Sequence, residues 1–248
     1  LFRSKHMWDQ QSSRMSEVAL HLRGVHAWYG ESHILHGIDL TVNKGELVTL
    51  LGRNGAGRTS TLKAILGLTS RVSGAITVNG SSAIGLPTHR IARLGLGYCP
   101  EERGIFSSLT CEENLLLPPL IGSVGASLES IYEMFPNLYE RRHSPGTRLS
   151  GGEQQMLAMA RILRSGASIL LLDEITEGLA PVIVKTLGRV IQELKRRGFT
   201  IVLVEQNFNF AAPLADRHYV IEHGQVATVV HRHELADKTS LLHDYLGV

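Results

Sequence analysis

Nine consecutive residues have the types and spacing to hold a phosphate: Gly52, Arg53, Asn54, Gly55, Ala56, Gly57, Arg58, Thr59 and Ser60. Glycines at this spacing let successive backbone N–H groups turn inward around an anion. A helix that opens as the loop ends adds the positive end of its dipole. The hydroxyl of Thr59 suits Mg²⁺, and one letter departs from the usual pattern, Arg58 standing where a lysine is expected. Further along, Asp173 and Glu174 close an apolar run. An aspartate at the mouth of a buried strand can hold Mg²⁺ through water. The glutamate one residue on can orient and deprotonate a water that attacks a γ-phosphate. Taken alone, such a pair also suits a strand that simply ends at solvent; the glycine loop upstream favours the chemical reading.

A loop and an acidic pair of this kind need strands beneath them. Residues 46–51 read as a buried strand and 60–66 as a short helix closed by Gly67. The unalternated run at 169–172 is the pattern of a central strand buried on both faces. Before the loop, 18–22, 25–29 and 38–42 are strand-like, with a turn at 43–45. After it come a short strand at 74–80, a helix at 87–94 with Pro87 near its start, and a strand at 95–100. The texture changes from about Thr110 to Leu138, where Thr110 and Glu113 have capping-box spacing and Pro118, Pro119, Gly122 and Pro136 break the helices. This predicts a helical lobe, about residues 103–165, inserted into an α/β core. Ser150 opens a helix that runs from Gly152 to Leu163. A helix at 181–196, a strand at 200–204, a helix at 208–214, a hairpin across His223 and Gly224, and a helical tail over the last 18 residues complete the chain.

The 248 residues are 43% hydrophobic, enough for a full core in one large domain with an inserted lobe. A net charge of +2 gives no field that demands nucleic acid. Two cysteines, Cys99 and Cys111, form neither metal spacing nor a disulfide framework, which points to a reducing compartment. No apolar run reaches transmembrane length. Residues 1–14, polar and irregular before Met15, read as an added leader or as a natural extension, with residues 15–248 forming the functional domain.

At Leu149, Ser150, Gly151, Gly152 and Glu153, followed by Gln154 and Gln155, the chain resembles the signature sequence of ATP-binding-cassette ATPases. A serine and two glycines at a helix N-terminus make a second surface able to grip phosphate. The resemblance runs from Val18 to the end. It implies a phosphate-loop NTPase core with a parallel or mixed central sheet, an N-terminal antiparallel β region and the inserted helical lobe. It places Tyr29 as the stacking platform for adenine, although a core aromatic would look the same. Glu101 stands where most members carry a glutamine that senses Mg²⁺, and Gln206 where most carry a switch histidine. Ile175, Thr176, Glu177, Gly178 and Leu179 correspond to the loop that touches the partner subunit, with Ile175 in place of the usual proline. The surroundings of Glu101, Glu177 and Gln206 are similar to those in ATPase subunits of bacterial branched-chain amino acid importers, and of urea or short-chain amide importers.

The resemblance implies a head-to-tail pair of ATPase subunits, each ATP held by residues 52–60 of one and by Ser150, Gly151 and Gly152 of the other. The metal would be Mg²⁺ on Thr59, Glu101 and Asp173, with Glu174 and Gln206 as catalytic groups. The partners would be a second, identical or different ATPase chain, two transmembrane permeases and, indirectly, a periplasmic binding protein. The location would be the cytoplasmic face of the bacterial inner membrane. Arg58 should keep ATP bound and slow hydrolysis, because a wide planar guanidinium replaces a compact point charge. A conformational clamp with little hydrolysis is the rival expectation.

Overall fold

The computed structural model describes residues 17–121 and 125–246. The expectations for residues 1–14 and for Gly122 lie outside the described residues. The chain opens with β1 (Val18–Tyr29) and β2 (Ser32–Asn43), then β3 (Leu47–Leu51), α1 (Arg58–Ile65), β4 (Arg71–Val78), β5 (Ser81–Ser82), α2 (Thr88–Ala92) and β6 (Leu96–Cys99). β1, β2, β4 and β5 form one antiparallel sheet in the order β2-β1-β4-β5. The segments 18–22 and 25–29 are one strand rather than two, because a register shift between Leu22 and Val25 absorbs Gly24 as a bulge without breaking the pairing.

The lobe follows as three short helices, α3 (Cys111–Leu116), α4 (Leu128–Met134) and α5 (Pro136–Glu140), and a longer one, α6 (Gly151–Arg164). Both N-termini marked by a hydroxyl and a glutamate are capping boxes. Thr110 accepts from the Glu113 N–H, Ser150 accepts from the Glu153 N–H, and each glutamate accepts the cap residue's own N–H in return. The chain returns through β7 (Ile169–Asp173), α7 (Pro181–Arg196), β8 (Thr200–Val204), α8 (Phe208–Ala211), β9 (Arg217–Glu222), β10 (Gln225–His231) and α9 (Leu235–Leu246). The helical tail is shorter than the last 18 residues, since β10 runs to His231 and a 3₁₀ turn occupies Arg232–Glu234. α8 likewise stops before Pro213, whose ring and missing N–H end it.

The second sheet has the order β10-β9-β3-β8-β7-β6 and is parallel except for the β9–β10 hairpin. Alternate residues of its central strands enter two different cores. Val48, Leu50, Ile169, Leu171, Val202 and Val204 pack toward the antiparallel sheet, whereas Leu47, Leu170, Leu172, Ile201 and Leu203 pack against the lobe, α6 and α7. That two-sided burial explains the unbroken apolar runs in β3, β7 and β8. It also leaves the carboxyl ends of these parallel strands as the place where loops can gather polar groups.

Candidate nucleotide site

The glycine loop leaves β3 at Leu51 and enters α1 at Arg58, so the helix opens two residues earlier than the sequence suggests. Arg58 and Thr59 therefore sit in its first turn, and Ser60 follows. Gly52 has φ 150, and a Cβ there would lie 2.3 Å from the Ile221 carbonyl oxygen, so no other residue fits without moving β9. The loop is tied down on two sides. The Ala56 N–H donates to the Arg53 carbonyl at 3.0 Å, and the Gly224 N–H, from the β9–β10 turn, donates to the Ala56 carbonyl at 2.8 Å.

Arg58 is only 4% exposed, and one of its nitrogens, Nη2, donates to Glu174 Oε1 at 2.8 Å and to Asn54 Oδ1 at 3.0 Å. Its second nitrogen, Nη1, is buried and has no hydrogen-bond partner among the described residues. A buried guanidinium N–H without an acceptor is costly, and an anion in the adjoining space would satisfy it. Asn54 Oδ1 also accepts from Gln206 Nε2 at 2.9 Å, so Gln206, Asn54, Arg58 and Glu174 form one continuous polar chain. Glu174 carries φ 46, a strained setting for a non-glycine residue. Its N–H donates to the Val204 carbonyl at 2.9 Å, which fixes the backbone there. Burial pushes its carboxyl up to about 6 against the opposing pull of Arg58, and Glu177 and Glu101 add to the rise.

Asp173 lies one layer deeper, 1% exposed at the end of β7. Its two oxygens accept from Thr59 Oγ1 at 2.9 Å and from the Tyr98 hydroxyl at 3.0 Å. Burial raises its carboxyl, while both hydrogen bonds hold the charged form. A hydroxyl and a carboxylate in contact are the hard oxygen donors that Mg²⁺ prefers, so this pair fits the ion. Oxygens of Glu101, Glu174 and Glu177 also come within 4.8 Å of one another, and Glu101 is raised by partial burial and by the charge of Glu177.

A cavity of about 450 Å³ brings most of these groups together. Tyr29, Asn54, Gly55, Gly57, Arg58, Thr59, Ser60, Glu101, Glu174 and Glu177 line it, with Ile34. Gly52 and Ala56 support the loop from behind, and Gln206 reaches the cavity wall through Asn54. The signature residues Leu149, Ser150, Gly151, Gly152 and Glu153 lie elsewhere, at the start of α6. There Glu153 is held as a cap partner of Ser150 and by Arg141 at 3.3 Å. The Ser150 hydroxyl uses its oxygen as the cap acceptor and keeps its proton to donate.

Of the segment 175–179, Ile175 is 1% exposed and packs in the core beneath α6 and α7. Thr176 is clasped by Glu205, whose carboxylate accepts from its N–H at 3.2 Å and its hydroxyl at 2.9 Å. Glu177 faces the cavity, and Gly178 and Leu179 lead to α7. Sequence reasoning did not assign Tyr98 and Glu205. A tyrosine inside an apolar strand and a glutamate before a polar pair carry no pattern of their own, since each acts across strands.

A glycine loop and an Asp-Glu pair gathered at the ends of parallel strands fit a nucleoside triphosphatase of the phosphate-loop class. Residues 35–177 match the ABC transporter family. The chain is 42% identical over 205 residues to the high-affinity branched-chain amino acid transport ATP-binding protein BraG of Pseudomonas aeruginosa, covering 82% of this chain and 88% of that protein. It is 32% identical over 225 residues to the lipopolysaccharide export system ATP-binding protein LptB of Escherichia coli K12, covering 88% and 93%. A nucleotide-free ATP-binding cassette from an ABC transporter superposes with a TM-score of 0.78 over 90% of this chain and 95% of that one, at 20% identity. This chain belongs to the ABC transporter family and is an ATP-binding, ATP-hydrolysing subunit of it. No helix among the described residues is long and apolar enough to cross a membrane. Subunits of this family work as pairs with membrane-embedded permeases.

Proposed function

We propose that this subunit powers a bacterial importer of branched-chain amino acids from the cytoplasmic face of the inner membrane. The observation that carries this reading is the 42% identity to BraG across 82% of the chain. The importer would hold a second ATPase chain, two permeases and a periplasmic binding protein that selects the solute. Urea or short-chain amides are the alternative cargo suggested by the residues around Glu101 and Gln206. The test is reconstitution with the permeases and binding protein encoded beside it, followed by ATP hydrolysis and radiolabelled uptake. Stimulation by leucine, isoleucine or valine supports the reading; stimulation by urea alone, or by none of these, overturns it.

Within the subunit, the N–H groups of residues 52–60 and Arg58 Nη1 would take the phosphates, and Tyr29 would stack on the adenine. Thr59 and Asp173, with Glu101 at the rim, would hold Mg²⁺, which neutralises phosphate charge when bound. Glu174 would orient and deprotonate the attacking water, and Gln206 would hydrogen-bond toward the γ-phosphate. Ser150, Gly151 and Gly152 would grip the nucleotide of the facing subunit. The Arg58–Glu174 ion pair supports a slow cycle, because the carboxylate that should meet water already has a cation as its partner. If that contact persists with ATP bound, the subunit acts as an ATP-gated clamp.

The permease contact would fall on the lobe. Phe106, Leu116, Leu117 and Leu120 are all about half exposed there. Beside them a cavity of about 420 Å³ opens between β6 and α6, bordered by Pro100, Arg103, Pro118 and Pro119. A short cytoplasmic helix of a permease, apolar on one face, fits this surface.

A further inference from the structure

The outer face of the antiparallel sheet carries a cluster that the nucleotide chemistry does not use. His26 lies on β1, and His33 and His36 lie on β2, within the hairpin whose tip falls between Tyr29 and Ser32. His26 Nδ1 and His33 Nε2 are 3.1 Å apart. His36 sits directly across from His26 in the strand register, and its ring centre is 4.1 Å from that of His33. Trp28 stacks on His33 with ring centres 4.3 Å apart and planes within 10°, and the Arg71 guanidinium covers Trp28 at 4.0 Å.

We infer that His26 and His33, joined by His36, form a binding site for a divalent transition metal of the Zn²⁺, Ni²⁺ or Cu²⁺ class. Imidazole nitrogen is the donor these ions favour, whereas Mg²⁺ and Ca²⁺ favour oxygen. Two nitrogens bound to one ion at about 2.0–2.1 Å lie roughly 2.9–3.4 Å apart for cis or tetrahedral geometry. The observed 3.1 Å is within that range. At this distance, one imidazole donates its N–H to the other's lone pair. On binding, the donor ring moves its proton to its second nitrogen, and both facing lone pairs reach the ion without net proton release.

Trp28 rigidifies the His33 ring, so less side-chain freedom is lost on binding. The bound ion would clip β1 to β2 directly beneath the hairpin tip that carries Tyr29. This inference is independent of the transport reading, and its test needs no nucleotide.

The sequence has two tryptophans, so a Trp8→Phe background leaves Trp28 as the sole tryptophan, read by exciting at 295 nm, where tyrosine absorbs little. After chelator treatment at pH 7.5, Cu²⁺ or Ni²⁺ should quench Trp28 emission saturably at one equivalent, and Zn²⁺ should compete. His26→Ala or His33→Ala should each weaken binding at least about tenfold, since each removes one nitrogen of the chelating pair. His36→Ala should weaken it less, and His89→Ala, on α2, should leave it unchanged. Equal affinity in wild type and the His26→Ala/His33→Ala double variant overturns the site. Should that variant fail to fold, ¹⁵N spectra of the Trp8→Phe protein decide. Zn²⁺ must shift the imidazole nitrogens of His26 and His33, and unshifted resonances at saturation overturn the site equally.

Discussion

Arg58 reaches farther than the lysine whose place it takes, and its reach changes which group it serves. Lysine offers one compact charge; Arg58 offers two terminal nitrogens, one on Glu174 and Asn54, the other buried with no acceptor among the described residues. We expect Arg58→Lys to raise turnover about ten- to a hundredfold, the scale of a 1 Å repositioning at a reacting centre. Nucleotide affinity should change little. Equal turnover in steady-state phosphate release would exclude Arg58 as the brake. Glu174→Gln should cut hydrolysis by at least about a hundredfold, as expected for loss of a general base, and leave ATP bound. An unchanged rate removes Glu174 from that role.

Two other buried groups set opposing pH dependences. Burial holds His218 down to about 4, so its contribution is complete above its unfolded pKa near 6.5 and is lost as pH falls toward 4. Burial pushes Glu205 up to about 7, so its contribution is complete below about 4.5 and is lost as pH rises toward 7. Each is worth on the order of 3 kcal/mol, and between pH 4.5 and 6.5 they offset each other. Melting curves from pH 4 to 8 should therefore rise more steeply with pH in Glu205→Gln than in the wild type, and fall more steeply with pH in His218→Asn, with the raised carboxyl of Glu174 adding the same background slope to all three. Parallel profiles in all three would refute the assignment.

At the scale of elements, local chemistry is legible and long-range contact is not. The strand, glycine loop and helix around residues 52–60 follow from residue type, as does the capping box at Thr110, whereas the one at Ser150 was hidden behind the signature reading of the same residues. The apolar runs of β3, β7 and β8 likewise announce burial on both faces. The join of 18–22 with 25–29 was hidden, because a bulge is set by the partner strands and leaves only a glycine in the sequence. The Arg58–Glu174 contact was hidden for the same reason, its partners being 116 residues apart. Each loop glycine also has a different tolerance. Gly52→Ala should lose both stability and nucleotide binding, because its Cβ would collide with the Ile221 carbonyl. Gly55→Ala meets nothing within 4 Å and should cost only about 1 kcal/mol of backbone strain from its φ of 79. Thermal melts and nucleotide titration of the two variants separate these outcomes.

For the molecule as a whole, the two ends of the work are carried by different layers. The candidate nucleotide cavity lies at the strand ends, and the lobe carries the apolar surface proposed for the permease. Leu117→Glu, on that surface and 48% exposed in the wild type, should leave nucleotide affinity unchanged and release the subunit from permease-containing membranes. Retention of the variant on such membranes would move the contact elsewhere.

The strand order β3-β8-β7 acts as a fixed gauge for all of this. The glycine loop grows from β3 and Glu174 from the end of β7, with β8 and its Gln206 between them. Two interstrand steps separate β3 from β7, about 9.6 Å that the backbone hydrogen bonds set and no side chain can change. A substitution at position 58 therefore alters the length and fork of the side chain, not the strand spacing beneath it. A change from lysine to arginine is a change in span across a ruler whose marks do not move.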